Sequence, residues 1–184
     1  MSLVLGSIER SIERRREIDV TFDPQHLLGG DALVDALARL LPVVRPSRVV
    51  NGWATVDLDR AEADFSSADP SNATGDATHR SRPVGDDTIL GARGRLFRPG
   101  EGQEMVLLEA STEGRLAAAL ARYGEGTVAR YLLVDADAAH RARAAGFTLS
   151  TEGVGPFGIQ RLVLVGPRYG PFLLLAGLDP DAAP

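Results

Sequence analysis

The chain has 184 residues, room for one sizeable domain or two small modules sharing a core, and its 44% hydrophobic content and mean hydropathy of -0.04 are ordinary for a globular protein. Twenty basic residues against 25 acidic ones leave a net charge of -5, which argues against non-specific binding to nucleic acid or an anionic membrane, since both need a positive field. There is no cysteine, so disulfides and thiolate chemistry are excluded and a reducing cytoplasm is the natural setting; no apolar run nears the ~20 residues that span a bilayer.

The opening MSLVLGSIERSIERRRE has too short an apolar start for a secretory leader. Residues 7–16 read as a short polar helix with Ile8 and Ile12 four apart and Glu–Arg pairs at helical spacing, either a solvated arm or a docking edge for the domain or a second subunit. EIDVTF at 17–22 alternates strictly and predicts a strand with Ile18, Val20 and Phe22 on one face and Asp19 and Thr21 on the other. After the loop DPQHLLGG, residues 31–41 form the clearest helix. Asp31 stands at its N-cap, Leu33, Leu37, Leu40 and Leu41 make its stripe, and Pro42 and Pro46 stop it.

RVVNGWATVDL at 48–58 is strand-like, with Gly52 at a bulge position. Residues 59–87, rich in Asp, Ser, Ala, Gly and Pro, predict a long loop, either mobile or a lid. Residues 88–98 and 104–109 predict a hairpin, and 113–123 a helix with Leu116 and Leu120 on one side. The stretch 124–177 is the best punctuated. TVARYLLV predicts a strand, DADAAHRARAAG a helix with an acidic start and a glycine stop, and FTLSTEG, IQRLVLVG and PFLLLAG three more strands.

The order strand, helix, strand, strand, strand thus occurs twice around a linking helix. One such unit leaves a curled sheet with an unfilled face, so the halves should pack together. The expected fold is α+β: two βαβββ modules forming a curved sheet around a cavity, helices on the outer face. Residues 1–16 are an arm, 17–112 the first module with the long loop 59–87, 113–178 the linking helix and second module, and 179–184 a tail.

The second half resembles a module of the vicinal oxygen chelate superfamily, the glyoxalase, bleomycin-resistance and extradiol-dioxygenase group. The matching features are a strand ending in V-D at 134–135, the helix D-A-D-A-A-H-x-A-R-A-A-G, the G-P-F-G turn at 155–158, Arg161, and the P-x-x-G-P-x-x-L run at 167–174. The first half is similar through EIDVTF, DALVDALARLL and MVLLEAS. The resemblance implies a cavity that often holds a divalent metal between a His near the start of each module's first strand and a Glu on each last strand. Such ligands leave open positions where vicinal oxygens of a substrate chelate. Here Glu109 matches on the first module's last strand. EIDVTF has no His, His26 lies several residues past it, the region 128–130 has none, and the second Glu falls at Leu174 or Leu175. One ligand of four implies no metal cofactor; if a metal binds, Glu109 and His26 would hold it.

The candidate ligand-binding residues are therefore Glu109, Arg130, Trp53, Asp19 and Phe157. A carboxylate at the end of MVLLE needs water, a cation or an arginine. Arg130 could point into the cavity and pair with Glu109, replacing the metal's charge or gripping a carboxylate; the competing reading is a structural salt bridge. Trp53 is either a flat cavity wall or core packing, and Phe157 either closes the cavity mouth or is a plain turn aromatic. His79 and His140 read as solvated, no triad spacing is present, and the glycine pairs lack the dinucleotide fingerprint.

The favoured expectation is a cytoplasmic, bacterial, bleomycin-resistance-type protein binding a small organic ligand between its modules without a metal; the abundance of Ala, Arg, Asp and Gly with no lysine suits a GC-rich genome. The alternatives are a metal-dependent lyase, isomerase or dioxygenase, and a non-enzymatic interaction module, with a homodimer compatible with each. No reaction is assigned by the residues alone.

Overall fold

The computed structural model describes residues 30–68, 81–100, 103–111, 113–165 and 168–177. The expected arm at 7–16, the strand carrying Asp19, the loop with His26, and His79 lie outside the described residues.

The elements in chain order are α1 (Gly30–Val44), β1 (Arg48–Thr55), α2 (Leu58–Ala68), β2 (Ser81–Asp87), β3 (Ala92–Gly100), β4 (Gln103–Ala110) and α3 (Arg115–Tyr123), then β5 (Gly126–Leu133), α4 (Ala138–Ala144), β6 (Gly153–Gly155), β7 (Gly158–Val163) and β8 (Phe172–Ala176). The strands form one sheet in the order β2-β3-β4-β1-β5-β8-β7-β6. In each half the first strand runs parallel to the last, β1 with β4 and β5 with β8, and the two first strands meet antiparallel. The fold is therefore two βαβββ units, β1-α2-β2-β3-β4 and β5-α4-β6-β7-β8, joined through β1 and β5, with α3 as the link and α1 outside the repeat.

The stretch expected to be a loop at 59–87 contains α2 and β2. Asp57 starts α2 by accepting the Arg60 N–H on Oδ1 at 3.0 Å, and Leu58, Ala61 and Phe65 pack beneath it on Trp53, Phe97, Met105 and Leu107. α1 also runs beyond its expected stop, because Pro42 in the last turn forfeits only one intrahelical bond. Leu33, Leu37, Leu40 and Val44 pack on Leu132, Val134, Leu173 and Leu175 together with the small face of α4, Ala138, Ala139 and Ala142. Arg141 pins α1 to α4 by donating to the Val43 and Val44 carbonyls and pairing with Asp135 at 2.9 Å.

Helices α1, α2 and α4 thus cover one face of the sheet. The other face curls on itself: Val50, Ala54, Leu96, Val106, Leu108, Ala129, Tyr131, Leu162, Phe172 and Leu174 from both units meet in one cluster, and Leu116 and Ala119 of α3 join it. The two edge strands nearly close the curl, Thr88 just after β2 bonding Val154 of β6. Gly52 sits at the centre of this interior, where a β-carbon would lie 2.9 Å from both Ala129 Cβ and Leu108 Cδ1. Only glycine lets β1 approach its neighbours there.

Glu125, between α3 and β5, ties the two units together at their outer junction. It accepts from Arg60, from the Val56 N–H at 2.8 Å and from the Thr55 hydroxyl at 2.7 Å, and these donors, Arg60 foremost, hold its carboxyl down at about 2. A depressed carboxyl contributes stability that is present above its unfolded value near 4.5 and is lost as pH falls toward about 2. Glu125→Gln is expected to flatten the stability profile in that window, read as urea midpoints between pH 2 and 6. A wild-type midpoint that does not fall there relative to Glu125→Gln contradicts this.

Candidate functional site

In a paired βαβββ sheet, the interior is lined by alternate residues of the four central strands, so strand parity decides what chemistry it holds. On β1 the inward positions are Val50, Gly52 and Ala54; on β4, Val106 and Leu108; on β5, Ala129 and Tyr131; on β8, Phe172, Leu174 and Ala176. All but the Tyr131 hydroxyl are apolar. Glu109, one residue past Leu108, falls on the helix-covered face, where Arg93 pairs with it at 2.7 Å. The metal set that the sequence resemblance implies does not fit these positions. Among the described residues no group of three His, Cys, Asp or Glu side chains could hold a metal ion.

Parity also corrects the expected Glu109–Arg130 pair. Leu132 and Val134 pack beneath the helices while Ala129 and Tyr131 face the interior, so Arg130 lies on the helix side, 5% exposed, and burial pushes its guanidinium pKa down. Arg130 is level with Asn51 and Met105, whereas Glu109 is level with Thr55. The two charges are thus two strands apart and four residues out of step, roughly 13 Å along the strands alone. A bulge adds to the misreading: Gly52 pairs with Ala129 and Trp53 with Thr127, so Val128 has no partner and turns into the interior cluster. Trp53 packs under α2, edge-on to Phe65 with ring centroids 5.1 Å apart, and is core rather than cavity wall.

Phe157 packs half-buried against the interior cluster, edge-on to Tyr131 at 5.5 Å and beneath the Arg48 guanidinium at 5.7 Å. Arg48 and Arg98 both pair with Glu104 beside it. Among the described residues the interior lining is wholly buried at Tyr131, Leu108, Leu174, Leu90 and Gln160. The two edges meet at Thr88 and Val154, so this lining is shut off from solvent.

Among the described residues, a polar cluster lies inside. Asp87, 1% exposed, accepts the Ile89 and Leu90 N–H groups on Oδ1 at 3.0 and 2.8 Å and the Tyr131 hydroxyl on Oδ2 at 2.8 Å. Gln160 from β7 faces the same carboxylate without reaching hydrogen-bond geometry. Burial pushes the Asp87 carboxyl up, against these hydrogen bonds, and pushes the Tyr131 phenol up as well. Sequence reading missed this cluster; the signal available was the D-x-x-L step at 87–90, an Asx-type turn after a strand.

An open pocket lies on the opposite face, beside the start of α2. It measures about 400 Å³ and is bordered by Asp57, Asp59, Asp86, Arg93, Arg95 and Glu109. Arg95 bridges Asp59 and Glu62 at 2.7 and 2.8 Å, so both guanidiniums are held in place by carboxylates. Four acids against two arginines leave the rim negative.

No protein-family model and no curated protein matches this chain. Solved structures similar to it include a Streptomyces coelicolor methylmalonyl-CoA epimerase in complex with 2-nitronate-propionyl-CoA, at 20% identity and a TM-score of 0.49 over 71% of this chain and 96% of that one. Another is a hypothetical protein from Bacillus halodurans C-125, at 14% identity and a TM-score of 0.49 over 70% and 91%. The chain's own architecture is α+β, one eight-stranded sheet built from two βαβββ units.

Proposed function

We propose that this chain is a glyoxalase-like binding protein that takes a small polar ligand in the pocket beside α2, without a metal-dependent reaction inside the sheet. The observation that carries the reading is the placement of Glu109: it shares an open space of about 400 Å³ with Arg93, Arg95, Asp57 and Asp86, while the interior lining is buried and largely apolar. That volume lies within the range of small-ligand sites. The negative rim favours a ligand carrying an amine, with any carboxylate it bears directed to Arg93 or Arg95. A carboxylate beside an amine gives charge-assisted bonds, and losing one is expected to weaken binding about tenfold.

The test is a thermal-shift screen of small amines, amino acids and carboxylic acids, followed by calorimetry on Asp86→Asn and Glu109→Gln. Amine-bearing compounds are expected to raise the melting temperature, and each variant to lose about tenfold in affinity. Hits confined to simple acids, or hits indifferent to both variants, would end the reading. The buried, largely apolar interior lining favours a second reading, a non-enzymatic interaction module on the same scaffold. A chain that pulls no ligand from the screen yet forms a stable dimer in light scattering would support that one instead.

A further inference from the structure

The sheet carries no ladder between its outermost strands, β2 and β6. Their junction rests on Thr88, whose N–H and hydroxyl both donate to the Val154 carbonyl, at 2.9 and 3.0 Å, while the Val154 N–H donates to Thr88 Oγ1 at 2.9 Å. β6 is three residues long and lies directly on Gln160: a β-carbon built on Gly155 would stand 2.2 Å from Gln160 Oε1, so any larger residue there would displace the Gln160 amide. Gln160 is wholly buried and faces Asp87 closely enough to lower that carboxyl's pKa, yet neither Oε1 nor Nε2 reaches hydrogen-bond geometry with a protein group. Natural interiors rarely keep a buried amide unmatched at both ends, and where they do the group calls for a water, a ligand or a functional account. Beside it stand Asp87 and the Tyr131 hydroxyl, joined at 2.8 Å, and the Tyr131–Phe157 aromatic pair.

We propose that Gln160, Asp87 and Tyr131 form a cryptic recognition site for a primary carboxamide, reached by parting the Thr88–Val154 junction. A primary carboxamide is the complement of the Gln160 side chain. Its carbonyl accepts from Nε2 and one of its N–H groups donates to Oε1, while its second N–H finds a free lone pair on the Asp87 carboxylate. A carboxylate ligand of the same shape meets Asp87 with like charge and lacks both donors. The rings of Tyr131 and Phe157 suit an aromatic amide. This site lies on the other face of the sheet from the pocket beside α2, and neither depends on the other.

The probe is benzamide, titrated into the full ¹⁵N-labelled chain with benzoate as control. Benzamide is expected to give saturable shifts at the Gln160 side-chain NH₂ and at the Thr88, Val154 and Gly155 amides, and benzoate none. Gln160→Leu should abolish those shifts and, freed of the unmatched amide, melt about 2–4 °C higher than wild type. Shifts that persist in Gln160→Leu, or no benzamide response at these positions, overturn the site. Should Gln160→Leu pack poorly, Thr88→Val is the second variant: a loosened junction is expected to raise benzamide affinity several-fold, and unchanged or weaker affinity overturns the proposed entry.

Discussion

Leu174→Ala is expected to lower the unfolding free energy by about 2–5 kcal/mol, seen as a reduced urea midpoint at unchanged slope. Leu174 is wholly buried on β8, level with Tyr131 of β5 on one side and Leu162 of β7 on the other. Its neighbours are held by ladders on both flanks, and the junction of β2 with β6 keeps the curl from collapsing inward. The void left by the missing side chain therefore stays largely open, and open voids carry the upper range of such losses. Val154→Ala, 54% exposed, is the contrast and should stay within about 0.5 kcal/mol of wild type. The pair bears on function as well as stability. A loss below about 1 kcal/mol at Leu174 would mean that the interior is loosely filled, as the expectation of a ligand cavity between the units requires.

The second unit was legible because its elements are separated by strong punctuation. TVARYLLV, DADAAHRARAAG, IQRLVLVG and PFLLLAG fall on β5, α4, β7 and β8. The first unit was not, since the helix at 58–68 shows an inward stripe of only Leu58, Ala61 and Phe65 among Asp, Ser and Glu. The strand at 81–87, SRPVGDD, carries a proline, a glycine and two aspartates, all against strand formation in isolation. It exists because β3 supplies a partner along Ser81–Val84. Facing was the deeper failure. A strand apolar on both sides gives no alternation to orient it, so MVLLEA does not disclose that Leu108 and not Glu109 looks inward. RYLL likewise hides which of Arg130 and Tyr131 enters the interior. Only the helices packed on Leu132 and Leu107 settle that, and one of them was read as loop. Asp87 was invisible for the same reason, being placed in a loop where a carboxylate needs no explanation.

Asp87→Ala is the second large effect, about 3–5 kcal/mol. The alanine orphans the Leu90 N–H and the Tyr131 hydroxyl, both wholly buried, and the half-buried Ile89 N–H; each unmatched donor costs about 1–3 kcal/mol, with water offsetting part at Ile89. The turn that fails is the one that docks α3, whose Leu116 N–H donates to the Leu90 carbonyl, and that closes the sheet through Thr88. Asp87→Asn keeps an oxygen for both N–H groups and should recover most of the loss, which separates hydrogen bonding from charge. The charge itself has a pH signature. Burial is the largest influence on this carboxyl and raises its pKa, so the folded chain holds the proton more tightly than the unfolded one. The resulting stability is fully present below the unfolded value of about 3.9 and is lost as pH rises through the raised folded value. Asparagine does not titrate, so the stability of Asp87→Asn relative to wild type should improve from pH 4 to pH 8, measured as urea midpoints on both chains. A relative stability that falls with pH would mean the carboxylate is favoured by its partners over its burial, and the interior around Tyr131 and Gln160 would then be more polar than its packing implies.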